Sequence, residues 1–389
     1  MRSEYLMFVS QENNNKFYKM TENGDSFLAE WGRVGAAGQS KVYPLSRWES
    51  QLNEKLAKGY TRVVGHGSVD SKTIQSSNLM IVDDDVRELI AFLIRSARQS
   101  ISHNYLVSSE SVTQVQVDEA QSIIGELKDK IYGAGFGVSF DAINRLLEKL
   151  YRTIPRKMGN TKDYFLRYPS SQSDAIDLLQ KEQSILDTLQ SQVGSVQSNN
   201  LDLASLGLDI SLASQSDKDR ISKETDFRVG HQKIFKVTSK DTDSQFLPGK
   251  SRLLYHGTRN ENLLSVLQRG LLIRPNGVST TGNMFGWGIY TADKARKSIG
   301  YTSLRGSYWA SGSSSKAYLA LFEVNLGRQW DLLDHQSHSG WMSRLDEKEV
   351  TRKGYDSVFA RGGADLRNNE YIIYNANRCT IRYLIELNS

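Results

Sequence analysis

The residues best suited to chemistry in this 389-residue chain lie in Leu253–Arg259 (LLYHGTR) and Thr281–Tyr301 (TGNMFGWGIYTADKARKSIGY), completed by Asn368–Tyr374 (NNEYIIY). An imidazole, two phenols and a carboxylate (His256, Tyr290, Tyr301 and Glu370) sit there among Gly257, Gly282, Gly286 and Gly288. Glycines carry no Cβ, so the backbone can come close to a ligand. Each stretch is a short apolar run that breaks into small and polar residues, the form of a strand opening onto a site. Singly these residues say little. A lone His is commonly a hydrogen-bonded structural residue, and Tyr290 by itself reads as a core or edge aromatic. Their order and spacing carry the information.

His-Gly-Thr after an apolar strand, then Met-Phe-Gly-x-Gly-Ile-Tyr-x-Ala-Asp-x-x-x-Lys-Ser-x-x-Tyr, then Asn-Glu-Tyr-Ile-Ile-Tyr, resembles the catalytic domain of the poly(ADP-ribose) polymerase family over Phe227–Leu387. The resemblance implies NAD+ as substrate, with no metal, and cleavage of its nicotinamide–ribose bond. That step builds positive charge on the ribose, an oxocarbenium-like centre comparable to the one in glycoside hydrolysis. A fixed carboxylate beside the ring stabilises it, and the motif assigns that part to Glu370. By the same resemblance His256 holds the ribose of the adenosine half. The Gly257 backbone and the Ser298 hydroxyl take the nicotinamide carboxamide, which one backbone N–H and one C=O can match. Tyr301 stacks on the nicotinamide ring, with Tyr290 on the opposite wall, and Lys297 lies toward the acceptor. Asn262 and Arg274 are implied at the adenine or phosphate end, Arg274 standing two positions later than in the family. Trp287 occupies a place where the family commonly has Lys. The His–Tyr–Glu set is the one associated with chain extension, so polymerisation is expected. Transfer of a single unit to a protein or a nucleic-acid end, or a scaffold that only binds NAD or ADP-ribose, are the alternatives.

Positioning such residues takes a substantial framework, and 389 residues suffice for two or three domains. The net charge is +5. From His231 onward there are 22 Lys+Arg against 14 Asp+Glu, net +8, and the remainder is net −3. The basic excess thus accompanies the candidate site, where a dinucleotide or a phosphate polymer would bind. The single cysteine, Cys379, excludes an intramolecular disulfide framework and a Cys-rich zinc site. No signal-peptide pattern opens the chain and no apolar run approaches membrane-spanning length. A soluble, monomeric intracellular protein without membrane partners is expected, nuclear in a eukaryote and cytoplasmic or nucleoid-associated in a prokaryote.

Short strands are expected at Tyr5–Val9, Lys16–Met20 and Ser26–Trp31, separated by the turn-rich QENNN and TENGD. Trp31-Gly32-Arg33 leads through a glycine-rich loop to a helix over Ser46–Lys58. This arrangement resembles the WGR domain of the same family, which implies binding of DNA ends or strand breaks. An indole face stacks on sugar or base and a guanidinium forks onto phosphate, so Trp31, Arg33 and Lys41 are the candidate contacts. Asp70–Asn78 reads as a linker. Helical stripes follow from Val82, over Val117–Ile131 and Phe140–Tyr151, and over Ser173–Val193. By position, and by NRLLEKLYRTIP, they resemble the family's helical regulatory domain, interrupted by the unusual Gly133–Gly137 run. Gln190–Asp217 reads as a flexible connector. The last third gives strands at Phe227–Val237, Leu253–Gly257, Leu271–Arg274, Gly288–Thr291, Tyr318–Leu326, Ser357–Ala360, Glu370–Asn375 and Thr380–Glu386. Short helices are expected at Glu261–Arg269 and Asp293–Tyr301, and Gly362–Asn369 is a short loop before Glu370. The expectation is a multidomain α+β protein. It comprises a β-rich WGR domain at 1–70, an all-α bundle at 80–225 and, at 226–389, an ADP-ribosyltransferase domain with the diphtheria-toxin-like split β-sheet. Protein acceptors, the enzyme itself among them, and a role in the DNA damage response complete the reading.

Overall fold

The computed structural model describes residues 2–12, 14–34, 36–63, 79–133, 139–193, 201–273, 284–332, 341–342, 345–363 and 366–389. Arg274, Gly282, most of the Gly133–Gly137 run and the Asp70–Asn78 linker lie outside the described residues. Contacts divide the chain into two units, Met1–Thr73 with Arg98–Gly194, and Ile74–Ala97 with Ser195–Ser389.

The first unit opens with an antiparallel sheet of β1 (Ser3–Ser10), β2 (Asn14–Asn23), β3 (Ser26–Arg33), β4 (Gln39–Pro44) and β5 (Thr61–Arg62), in the order β4-β3-β2-β1-β5. Helix α1 (Trp48–Ala57) lays Trp48 and Leu52 on Leu6, Tyr18, Met20 and Phe27. Gln39 and Ser40, expected in the glycine-rich loop, instead open β4. It is an edge strand whose side chains are almost all exposed, so no apolar alternation marks it in the sequence.

Four helices follow: α2 (Asp84–Asn104), α3 (Gln114–Gly133), α4 (Phe140–Thr153) and α5 (Gln172–Gln190). Ser139 caps α4, and Ser171 forms a reciprocal capping box with Asp174 at the start of α5. Helix α3 packs on both α4 and α5. Within the first unit α4 meets the sheet, where Arg152 Nη2 donates to Val9 O at 3.1 Å and Asn144 Nδ2 to Gln11 Oε1 at 3.0 Å. Among the helices lies a buried ion pair between Arg156 and Glu182, whose side chains are 1% and 2% exposed. Arg156 also donates to the carbonyl of Asn104, the last residue of α2, and faces the Tyr105 ring. Such a pair is costly to desolvate and far costlier to break on one side.

In the second unit one sheet is ordered β6-β7-β14-β10-β8 and another β11-β12-β13-β9. The first comprises β6 (Leu208–Leu212), β7 (Ile234–Ser239), β8 (Ser251–His256), β10 (Lys316–Asn325) and β14 (Cys379–Asn388). The second comprises β9 (Ile289–Thr291), β11 (Gln329–Leu332), β12 (Ser357–Ala360) and β13 (Glu370–Ile373). All pairings are antiparallel except β11 with β12. An isolated bridge, Tyr255 to Ala292, links the sheets just where β8 and β9 end. The short helices are α6 (Gln215–Glu224), α7 (Lys240–Gln245), α8 (Asn260–Arg269), α9 (Ala295–Ile299) and α10 (Glu347–Arg352).

Strand β10 is the spine because it is apolar on both faces, as a strand covered on two sides must be. Tyr318, Ala320 and Phe322 face Leu89, Ile90 and Leu93 of α2 and Leu263 and Leu267 of α8. Leu319 and Leu321 face Ile221, Tyr255 and Tyr383. Cys379, at the start of β14, is fully enclosed.

Three local expectations change. Residues 227–233 form no strand; Phe227 and Val229 pack against the core without pairing, and the strand begins at Ile234, where β14 supplies partners. The Gln190–Asp217 stretch contains β6, which buries Leu208 and Ile210, and leads into α6 through a capping box of Ser214 and Asp217. Residues 271–273 are not in a strand.

Candidate active site

The site lies where β8, β9 and β13 end together. His256 is the last residue of β8 and Tyr290 the middle of β9, which pairs with β13 so that Tyr290 stands opposite Ile372 and Thr291 opposite Tyr371. The Tyr255–Ala292 bridge brings His256 against β9, and its Nδ1 lies 3.0 Å from the Tyr290 carbonyl. A carbonyl can only accept, so Nδ1 carries the proton and Nε2 keeps a lone pair. Burial holds the imidazole below its ordinary pKa of 6.5, which keeps it neutral near pH 7.

The Tyr290 hydroxyl donates to Gly286 O at 2.9 Å and accepts from Phe285 N–H at 3.1 Å, tying the Phe-Gly-Trp-Gly turn to β9. Desolvation and the nearby charge of Glu370 raise its pKa well above the ordinary 10.0. It therefore acts as a neutral hydrogen-bonding wall.

Gly257 follows His256 directly. A Cβ built on it would overlap the Ser298 carbonyl oxygen and come within 3.0 Å of Tyr301 Cβ. No other residue fits there without moving α9, so the backbone at 257 and the Ser298–Tyr301 turn form one tight cleft. Ser298 is buried in α9, and Tyr301 N–H donates to its carbonyl at 3.0 Å. Burial and Glu370 push the Tyr301 hydroxyl up to about 12.

Glu370 opens β13 and is only 7% exposed. Its Oε1 pairs with Lys297 Nζ from α9. Its Oε2 is buried and has no hydrogen-bond partner among the described residues. A buried carboxylate oxygen left without a donor costs about 1–3 kcal/mol or more, which a ligand hydroxyl would recover. Burial draws Lys297 below its ordinary pKa, and the charges of Glu370 and Asp293 offset part of that.

Asn262 stands in the first turn of α8, half-buried, its Nδ2 3.5 Å from Thr258 Oγ1. In the first unit Trp31 is half-buried and donates from Nε1 to Gln39 Oε1 at 3.2 Å, while Arg33 and Lys41 are exposed. The Arg33 guanidinium donates from Nε and Nη2 to the Gly159 carbonyl at 3.3 and 3.1 Å. Lys41 Nζ sits 5.1 Å from the Tyr43 ring centroid. His256, Gly257, Tyr290, Ser298, Tyr301 and Glu370 are thus gathered in one cleft, whereas Trp31 and Arg33 lie on β3 and Lys41 on the edge strand β4.

Asp293 received no role from the sequence, although it lies inside the motif. Its Oδ2 accepts from Asn369 Nδ2 at 3.0 Å and from the Tyr371 hydroxyl at 3.3 Å, bracketing Glu370 on both sides in the chain. Its signal in the sequence was its place in the motif, just before α9. Residues 293 and 369 are too far apart for their pairing to be read from spacing.

Two family models match. The poly(ADP-ribose) polymerase catalytic domain covers residues 213–389 and the WGR domain covers residues 3–66. A putative poly [ADP-ribose] polymerase-like protein, 100L, of Invertebrate iridescent virus 6 is 31% identical over 37% of this chain and 75% of its own length. The uncharacterised protein 101L of the same virus is 33% identical over 50% of this chain and 79% of its own. Poly [ADP-ribose] polymerase 2 of Zea mays is 25% identical over 97% of this chain and 68% of its own. Among the described residues no helix is long and apolar enough to cross a membrane. Together with the cleft around Glu370, these matches place the chain in the poly(ADP-ribose) polymerase family, as an NAD+ ADP-ribosyltransferase with a WGR domain.

Proposed function

We propose that the protein is a nucleic-acid-activated poly(ADP-ribose) polymerase of the DNA damage response. The observation that carries the transferase at the centre of this reading is the buried Oε2 of Glu370, which has no partner among the described residues, beside the Gly257–Tyr301 cleft. NAD+ lies with its nicotinamide in that cleft: the carboxamide meets the Gly257 backbone and the Ser298 hydroxyl, and the ring is held between Tyr301 and Tyr290. The neutral Nε2 of His256 accepts from a hydroxyl of the adenosine ribose. Asn262 and Arg274 serve the adenine and phosphate end. Glu370 Oε2 accepts from the ribose 2′-hydroxyl next to the reacting carbon. When the C1–nitrogen bond breaks, nicotinamide leaves with the electron pair, which neutralises its pyridinium charge. Positive charge then builds on the ribose, where the carboxylate stabilises it. The acceptor oxygen attacks that carbon and loses its proton. Acceptors are protein side chains, the enzyme's own among them, and the hydroxyls of a growing chain.

In this reading the second unit holds a diphtheria-toxin-like split sheet, and the domains run 1–70, 80–225 and 226–389, with residues 80–97 and β6 of the middle domain completing the catalytic core. The helices between act as a regulatory element that DNA bound by Trp31, Arg33 and Lys41 loosens. Removal of residues 98–193 tests that element. Residues 79–97 must stay, because Leu89, Ile90 and Leu93 complete the core over β10. Activity freed from DNA is expected; a soluble variant with the full-length DNA requirement rules out the coupling.

Labelled NAD+ incubated with the full chain, with and without nicked DNA, tests the activity. A ladder that appears only with DNA is expected. A single discrete band identifies a mono-ADP-ribosyltransferase, the name borne by a Mus musculus relative 22% identical over 96% of this chain. Binding of NAD+ without release of nicotinamide identifies a scaffold.

A further inference from the structure

Tyr301 is not held by its own backbone alone. Its ring stacks on Trp309, with centroids 6.0 Å apart and planes within 16°. Trp309 is 53% exposed, and its neighbour Tyr308, 78% exposed, meets it edge-on at 4.7 Å. A tryptophan so exposed contributes little to the core, yet the loop that carries it is tightly built. Trp309 N–H and Ala310 N–H both donate to the Gly300 carbonyl, at 2.9 and 3.1 Å. Arg259, two residues beyond Gly257, donates to the Ala310 carbonyl at 3.1 Å. The indole lies against Gly300, where a Cβ would come within 3.1 Å of its Cδ1. Ser311 adopts φ +47, a left-handed conformation that a serine takes only at a cost. Arg305 N–H to Ser314 O and Gly306 N–H to Gly312 O close the loop across its base. A strained, closed loop that presents one exposed indole to one catalytic-cleft tyrosine is a device for holding that tyrosine.

We propose that Trp309 is a positioning residue: stacked behind Tyr301, it fixes the plane of the ring that the nicotinamide meets, so that affinity for the nicotinamide end of the substrate depends on a side chain that does not touch it. The inference rests on the nicotinamide-pocket reading of the Gly257–Tyr301 cleft. Fixing a ring in advance removes the cost of ordering it when the ligand arrives, and an aromatic pair is worth about a three- to tenfold change in affinity.

The test uses the full chain with benzamide as a probe of the nicotinamide end and ADP-ribose as a probe of the remainder. In Trp309→Ala the benzamide Kd is expected to rise about three- to tenfold, with Trp309→Phe recovering most of the loss. The ADP-ribose Kd and the ligand-free Tm stay close to wild type. In a Tyr301→Ala background, Trp309→Ala is expected to add nothing, because it acts through Tyr301. Unchanged benzamide affinity in Trp309→Ala overturns the proposal, and so does an equal loss for ADP-ribose, which marks a general structural role. Wild-type protein that binds no benzamide removes the pocket reading itself, and this inference with it.

Discussion

The Glu370 cleft and the Trp31-Gly32-Arg33 face carry motifs of similar brevity, but they are built differently. In the cleft, groups from β8, β9, β13 and α9 converge, burial lowers the pKa of His256 and Lys297, and one carboxylate oxygen has no partner among the described residues. On β3 and β4 each polar group already has a protein partner: Trp31 has Gln39, Arg33 has Gly159 and Lys41 has the Tyr43 ring. Unsatisfied buried chemistry points outward to a ligand. Satisfied surface chemistry serves structure equally well, so a guanidinium on a backbone carbonyl is no evidence of a phosphate.

The sharpest way to break that comparison is Glu370→Gln, which keeps the shape and removes the charge. Chain elongation is expected to fall by about 10²–10³-fold, as when a single transition-state stabiliser is lost, while the fold and NAD+ binding persist. Polymer formed at the wild-type rate would remove the assignment. Next comes Tyr301→Ala, expected to weaken benzamide by about 1–3 kcal/mol in isothermal titration. Arg33→Ala tests that face directly. If DNA displaces Gly159 from the guanidinium, the log–log salt dependence of DNA binding flattens by about one phosphate contact, with the basal rate unchanged. If the bond to Gly159 is the whole role, the variant loses about 1 kcal/mol of stability and binds DNA normally.

The smallest effect is that of pH. Because His256 stays neutral when folded, the unfolded chain takes up a proton there first as pH falls below 6.5. The associated stability is fully present above 6.5 and is lost as pH falls from there toward the lower folded pKa. NAD+ affinity should hold over that interval and decline only at lower pH, where the folded imidazole itself takes up a proton and Nε2 loses its lone pair, and both declines should vanish in His256→Asn. An unchanged acid limb in that variant would assign it to another group.

The catalytic stretches were legible because glycines and polar residues interrupt apolar runs at fixed distances, and β10 because a short continuous apolar run fits a strand covered on both faces. Strand β4 was not, since an exposed edge has no pattern to show. Strand β6 and helix α6 hid in a Ser-rich stretch, though Ser214 and Asp217 at capping-box spacing were there to be read. Phe227 and Val229 misled because an apolar side chain can pack without its backbone pairing. The Lys297–Glu370 pair, 73 residues apart, depends on how β13 comes to lie beside α9, which no local pattern encodes.

Cys379 has a use beyond packing. It is the chain's single thiol, it is enclosed at the start of β14, and burial pushes its pKa up to about 12. Almost none of it is thiolate at neutral pH, so maleimides and mild oxidants find no nucleophile in the folded protein. The native sequence is therefore already a silent background for site-specific labelling. A cysteine placed at exposed Tyr308 would take a dye alone, beside the Trp309 indole, and report by quenching when the cleft fills.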